Sequence, residues 1–109
     1  MLLAINADQF IPQFLHFLPP IKNTIISESV FSRIIYSSPY FAMQGVYIHI
    51  HMTDKIGSIE NAILTAYAST KPKLMSLNKY VRTNNAILKI SGIWETDVAC
   101  GLAYKFIQD

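Results

Sequence analysis

The segment Val46-Tyr47-Ile48-His49-Ile50-His51-Met52 alternates without a break. Val46, Ile48, Ile50 and Met52 share one side; Tyr47, His49 and His51 share the other. Side chains of a strand point to opposite faces in turn, so this pattern predicts a β-strand with one apolar face in a core. An apolar face needs a partner, and the flanking sequence supplies candidates. Ser27 to Tyr36 reads as a strand, with Val30, Ile34, Ile35 and Tyr36 giving β-branched and aromatic bulk. Ser37-Ser38-Pro39 and Gln44-Gly45 punctuate the path between the two.

Further out, Ala86–Trp94 and Val98–Ile107 predict two long strands joined at Glu95-Thr96-Asp97 as a hairpin. Leu2 to Asn6 predicts a short first strand. Asp8 can cap a helix carrying Phe10, Ile11, Phe14, Leu15 and Leu18, with Pro12 early in it and Pro19-Pro20 ending it. Ser58 can cap a second helix with Ile59, Ile63, Ala66 and Tyr67 on one face. Past Pro72, the residues Leu74, Leu77, Tyr80 and Val81 restart a helical stripe. The expected order is β-α-β-β-α-β-β. It implies an α+β fold, a mostly antiparallel sheet with two helical segments on one face, ferredoxin-like in arrangement.

The length of 109 residues fits one domain, 1–109. The chain is 51% hydrophobic and only 15% charged, with mean hydropathy +0.28. No stretch reaches the ~18 uninterrupted apolar residues of a spanning helix. Residues Met1 to Asp8 lack the basic start and long apolar middle of a signal peptide. A non-membrane, cytoplasmic protein that buries apolar surface by self-association is the expectation. The net charge of +2 is too small to argue for nucleic acid, which is not an expected partner. Cys100 is the only cysteine, so it forms no internal disulfide, and it reads as a small buried residue on a strand.

Around the opening strand, Ser29-Val30-Phe31-Ser32-Arg33-Ile34-Ile35-Tyr36, Gly45 and Ile48 to Gly57 resemble a known pattern. His51-Met52-Thr53 with Lys55-Ile56 carries the best match, and the segment resembles the 5-carboxymethyl-2-hydroxymuconate isomerase family of the tautomerase superfamily. The resemblance covers about residues 29–58. It implies a tautomerase-like β-α-β repeat assembled as a homotrimer, and a cofactor-free 1,3-proton shift on unsaturated keto or enol acids. The family's base is an N-terminal proline whose amine an apolar pocket keeps neutral. Here residue 2 is Leu2, and Phe31 stands where the family has a substrate-binding arginine. Arg33 shares a face with Phe31 and can substitute in part. Leu2, Phe31, Arg33 and His49 are therefore the substrate-binding positions that the resemblance implies, for a small anionic substrate. No catalytic residue is assigned.

Other groups can do chemistry, each set against a plainer origin. His49 and His51 could ligate a metal with help from neighbouring strands. Metal-dependent DNA-nicking endonucleases use such a pair with a tyrosine nucleophile, for which Tyr80 is the candidate. Polar positions on a sheet face produce the same spacing far more often, and no metal or other cofactor is expected. Lys71, Lys73, Lys79, Arg82 and Lys89 fall in a stretch without Asp or Glu between Glu60 and Glu95. They could neutralise phosphates or a carboxylate, but a solvated helix face is the commoner origin and only Tyr80 is interleaved. Trp94, Tyr104 and Phe106 could form a stacking platform, although aromatics on adjacent strands are usually core. His16 reads as a surface residue. The expected function is an isomerase-like protein with altered or lost proton transfer; the alternatives are a non-enzymatic protein-interaction module and a basic nucleic-acid-associated protein with a metal site at His49 and His51.

Overall fold

The computed structural model describes residues 4–22, 28–51, 56–77 and 84–108, with backbone alone for Ile50, His51, residues 84–86 and Gln108. Among these residues the fold is mostly strand: nine strands in one mixed sheet and a single α-helix. This overturns the expected α+β arrangement with two helical segments and its ferredoxin-like or tautomerase-like β-α-β repeat.

The strands are β1 (Ile5–Asn6), β2 (Leu15–Phe17), β3 (Ile21–Lys22), β4 (Val30–Ser37), β5 (Ala42–Gln44), β6 (Val46–His51), β7 (Lys73–Leu74), β8 (Asn84–Glu95) and β9 (Cys100–Gln108). The helix, α1, spans Ile56–Tyr67. The longest strand, β8, organises the rest. Along one edge it pairs antiparallel with β9 over nearly its whole length, Ala86 opposite Gln108 and Glu95 opposite Cys100. This is the expected hairpin. Its turn is fixed by Thr96, whose amide donates to the Ala99 carbonyl (2.8 Å) and whose Oγ1 accepts from the amides of Val98 and Ala99.

On its other edge β8 meets two strands end to end. Val30–Arg33 of β4 lies opposite Glu95–Gly92, and Val46–Ile50 of β6 lies opposite Ile90–Ala86. Between them the chain leaves the edge as a second hairpin, the end of β4 paired with β5. The Gly45 amide closes its base on the Ile34 carbonyl at 2.7 Å. Gly45 sits at φ +93°, and a Cβ there would come within 2.7 Å of the Ile90 carbonyl oxygen. Only glycine meets both demands, the left-handed backbone and the close approach. Opposite this departure the register of β8 slips between Ile90 and Gly92.

One face of the sheet is buried against α1. Ile34 and Tyr36 of β4, Val46 and Ile48 of β6, Leu88, Ile90 and Ile93 of β8 and Leu102 of β9 form a continuous core with Ile56, Ile59, Ile63 and Leu64 of the helix. The helix begins before Ser58, so that residue lies within its first turn rather than capping it, and Ala66 is exposed. It ends where Ala68 turns left-handed, φ +58°, its amide shared between the carbonyls of Leu64 and Thr65.

Of the expected helices, the first is absent among the described residues and the stripe past Pro72 starts as strand, for identifiable reasons. Pro12 pushes the residue before it out of helical space, and Ile11 is extended at φ −120°, ψ 108°. The segment makes two short 3₁₀ turns, Ala7–Gln9 and Pro12–Phe14, and then pairs as β2 with β4. Its aromatic residues face Tyr36 instead of a helix neighbour: the Phe10 ring stacks on it at 5.7 Å and Phe14 meets it edge-on at 5.8 Å. Past Pro72, Lys73–Leu74 runs parallel to Cys100–Gly101 as β7. The amides of Ser76 and Leu77 donate to the buried Glu60 carboxylate at 2.9 and 3.1 Å, and Leu77 begins a 3₁₀ turn. Tyr80 and Val81 lie outside the described residues.

Candidate anion-binding pocket

The face of the sheet turned away from α1 carries the candidate site. Alternation along β4 buries Ser32, Ile34 and Tyr36, which turns Phe31, Arg33 and Ile35 outward. Along β6, burial of Val46 and Ile48 turns Tyr47 and His49 outward. On β8 the slip at Ser91 keeps Ile90 and Ile93 both inward, so Lys89, Gly92 and Trp94 share the outer face.

A cavity of about 210 Å³ opens where the second hairpin leaves the edge of β8. Arg33, Lys89, Gln44 and Ser91 give it two cations, an amide and a hydroxyl. Phe31, Leu18, Ile34 and Ile35 give it apolar wall. None of these lining residues is acidic. Arg33 is exposed and has no ion-pair or hydrogen-bond partner for its guanidinium among the described residues. Lys89 is half-buried, and its Nζ lies over the Tyr47 ring at 5.6 Å. That contact holds the ammonium without neutralising it. The nearest strand carboxylate, Glu95, faces the other way, toward Tyr67 beneath the sheet. Two cations on an apolar wall, with no acidic partner among the described residues, can do one thing well: hold an anion that has an apolar body.

The face is built around glycine. A Cβ at Gly92 would come within 2.8 Å of Phe31 Cζ and 2.3 Å of the Ser32 carbonyl, and one at Gly101 within 2.6 Å of Trp94 Cζ2. Both aromatic side chains therefore occupy the space that a neighbouring side chain would fill, and both remain half-exposed.

Of the substrate-binding positions expected from sequence, Phe31 and Arg33 line this pocket together. His49 stands on the same face, opposite Ile87, but does not line it. Leu2 lies outside the described residues, and so does the side chain of His51. Among the described residues no cluster of His, Cys, Asp and Glu could hold a metal. The basic run from Lys71 to Lys89 disperses: Lys73 on β7 donates to Thr65 Oγ1 at 2.9 Å, Lys89 enters the pocket, and Lys79 and Arg82 lie outside the described residues. The suggested platform of Trp94, Tyr104 and Phe106 also divides. Trp94 is on the outer face, while Tyr104 and Phe106 meet each other edge-on at 6.0 Å against the core.

Sequence reasoning missed Gln44 and Ser91, and it set Lys89 in a basic run able to neutralise a phosphate or carboxylate without placing it beside Arg33. Lys89 was legible in principle, as the one charge between apolar residues on a strand. Ser91 was not, because its position depends on a register slip.

Beneath the sheet a second polar group has a different character. Ser32 Oγ and the Tyr67 hydroxyl lie 3.2 Å apart. Burial raises the pKa of Tyr67, the Ser32 hydrogen bond opposes the rise, and Glu95 adds to it. Cys100 is fully buried nearby, its Sγ 3.8 Å from the Lys71 carbonyl. These groups satisfy one another in the interior. No helix of the described residues is long and apolar enough to cross a membrane. No protein-family model, curated protein or solved structure matches this chain.

Proposed function

We propose that the chain is a binding domain for a small organic anion, a carboxylate or phosphate carried on a flat apolar body. The observation that supports this is the pairing of Arg33 with Lys89 in one pocket, with no acid on the outer positions of β4, β6, β8 or β9 among the described side chains. Arg33 supplies a planar pair of donors for two oxygens, Lys89 a point charge, and Gln44 and Ser91 further polar contacts. Phe31, Leu18 and Ile35 take the body of the ligand. The unsaturated keto or enol acids implied by the isomerase resemblance have this chemistry and belong among the test ligands.

Trp94 is the only tryptophan and its strand neighbour is Phe31, which makes its fluorescence a local probe. Phenylpyruvate and phenyl phosphate should bind saturably, with a neutral phenyl analogue much weaker. Arg33→Gln should weaken both by about tenfold or more, the usual worth of a charge-assisted hydrogen bond. Equal binding of the charged and neutral ligands, or binding indifferent to Arg33, would overturn the reading.

A further inference from the structure

We infer that the anion held in this pocket is a phosphate of single-stranded nucleic acid, and that the outer sheet face is a platform on which its bases stack. The inference rests on the reading of the pocket as an anion site and extends it in two directions.

The first is charge. Lys89 stands directly opposite Lys105 on β9, and Lys105 is exposed. Like charges facing each other across a ladder are unfavourable unless something negative lies over them. With Arg33 they make three cations on one face. The only carboxylate on β4, β6, β8 and β9, Glu95, points to the helix side. A single small anion in the pocket would answer Arg33 and Lys89 and leave Lys105 unmatched. A polyanion crossing the face answers all three.

The second direction is aromatic surface. Phe31 and Trp94 are cross-strand neighbours on the same face as the cations. Each has one side against a glycine that lets it lie close to the sheet, and each stays half-exposed. From Trp94 to Lys89 the strand runs about 15 Å, at roughly 3.3 Å per residue. That is longer than one nucleotide. Stacking on exposed rings beside a basic track is how sequence-tolerant single-strand binders work, since every base offers a π-face. The interleaving of basic and aromatic residues that the run Lys71–Lys89 lacks is thus assembled across strands, by Phe31, Arg33, Lys89, Trp94 and Lys105.

The test titrates the full chain with oligothymidylate of about ten nucleotides, with a duplex of the same length, and with phenyl phosphate. Trp94 fluorescence and anisotropy of the labelled strand are the readouts. The single strand should bind more tightly than the duplex or phenyl phosphate. Its affinity should fall with salt at a log–log slope of about −2, the value for three contacts to a single strand. Trp94→Ala should cost about tenfold, the worth of one stacked base. Because that variant could disturb the sheet, Lys105→Gln provides a second arm at an exposed position, removing one cation without setting an acid opposite Lys89. It should weaken the strand severalfold at low salt and leave phenyl phosphate binding unchanged. Phenyl phosphate binding with no oligonucleotide binding at low salt overturns this inference and leaves the pocket reading intact. Failure of both ligands removes the two together. Oligonucleotide binding that is indifferent to Trp94→Ala and equal for duplex and single strand also overturns it, since that is the signature of charge alone.

Discussion

The two faces of β8 divide the molecule. Toward the helix, Leu88, Ile90 and Ile93 are fully buried. Polar groups there are answered by protein: Glu60 by the amides of Ser76 and Leu77, Ser76 Oγ by the Tyr104 hydroxyl at 3.0 Å, Ser32 by Tyr67. No buried side-chain nitrogen or oxygen among the described residues lacks a partner. On the outer face, one residue along, Lys89 faces Lys105 and Arg33 stands without an acid. A strand gives each face its own chemistry because neighbouring residues point in opposite directions. Stability resides on one side and the capacity for binding on the other.

The sharpest way to break this division is to cut into the buried side. Leu88, opposite Ile48 and Phe106, has no room to collapse around a lost side chain. Leu88→Ala should cost about 2–5 kcal/mol in urea unfolding. Lys89→Ala, one residue away, should stay within about 0.5 kcal/mol. Comparable losses for the two would mean that the outer face is packed in solution and the division is false. Glu60 tests the polar half of the same contrast. Glu60→Ala removes the acceptor of two backbone amides in the interior, at about 2–3 kcal/mol. The 73–77 segment should also lose amide-exchange protection before the β8–β9 hairpin does.

How much of this was legible in the sequence follows the same line. The strands Val30–Ser37 and Val46–His51 and the hairpin of β8 with β9 could be read because each alternates or runs apolar between clear turn signals. They also pair with long partners, so local preference and tertiary demand agree. Residues 10–18 and 74–77 misled because apolar residues three and four apart fit a helix and also fit a segment draped over a core. Tyr36 decided the first case; in the second, Lys73–Leu74 pairs with Cys100–Gly101 and Glu60 takes the amides of Ser76 and Leu77, all from far away in sequence. Glu60 did leave a signal, as the one charge on a helix stripe otherwise made of Ile56, Ile59, Ile63 and Leu64. At the site, Phe31 and Arg33 were readable as a pair on one face. The cavity itself was not. It depends on Gly45, legible only as a turn signal, bending the chain away from β8, and on the slip at Ser91, which has no pattern in the sequence.

Tyr67 sits at the seam between helix and sheet and sharpens the comparison through pH. Burial raises its pKa in the folded chain, so the folded state favours the neutral phenol. That contribution is complete below the ordinary tyrosine value of about 10 and is lost as pH climbs through the higher folded value. Stability should therefore fall on the alkaline side. Tyr67→Phe should flatten that limb while costing about 1 kcal/mol at neutral pH for the lost hydrogen bond to Ser32. An alkaline limb unchanged in the variant would assign the loss to another group.

The smallest expected effect carries the opposite sign. Replacing Lys105 by Gln relieves its repulsion with Lys89 across the ladder, and stability should rise by a few tenths of a kcal/mol at low ionic strength. The gain should vanish in about 1 M salt, where the screening length is ~3 Å. A core position offers no such gain, because every change there either opens a cavity or strands a polar group. A face that becomes more stable when a charge is removed is holding that charge against its own stability, which is the pattern of a surface kept for a ligand. If Lys105→Gln leaves the low-salt stability unchanged or lowers it, the outer face has found its counter-charge within the folded chain, and the case for an external anion weakens with it.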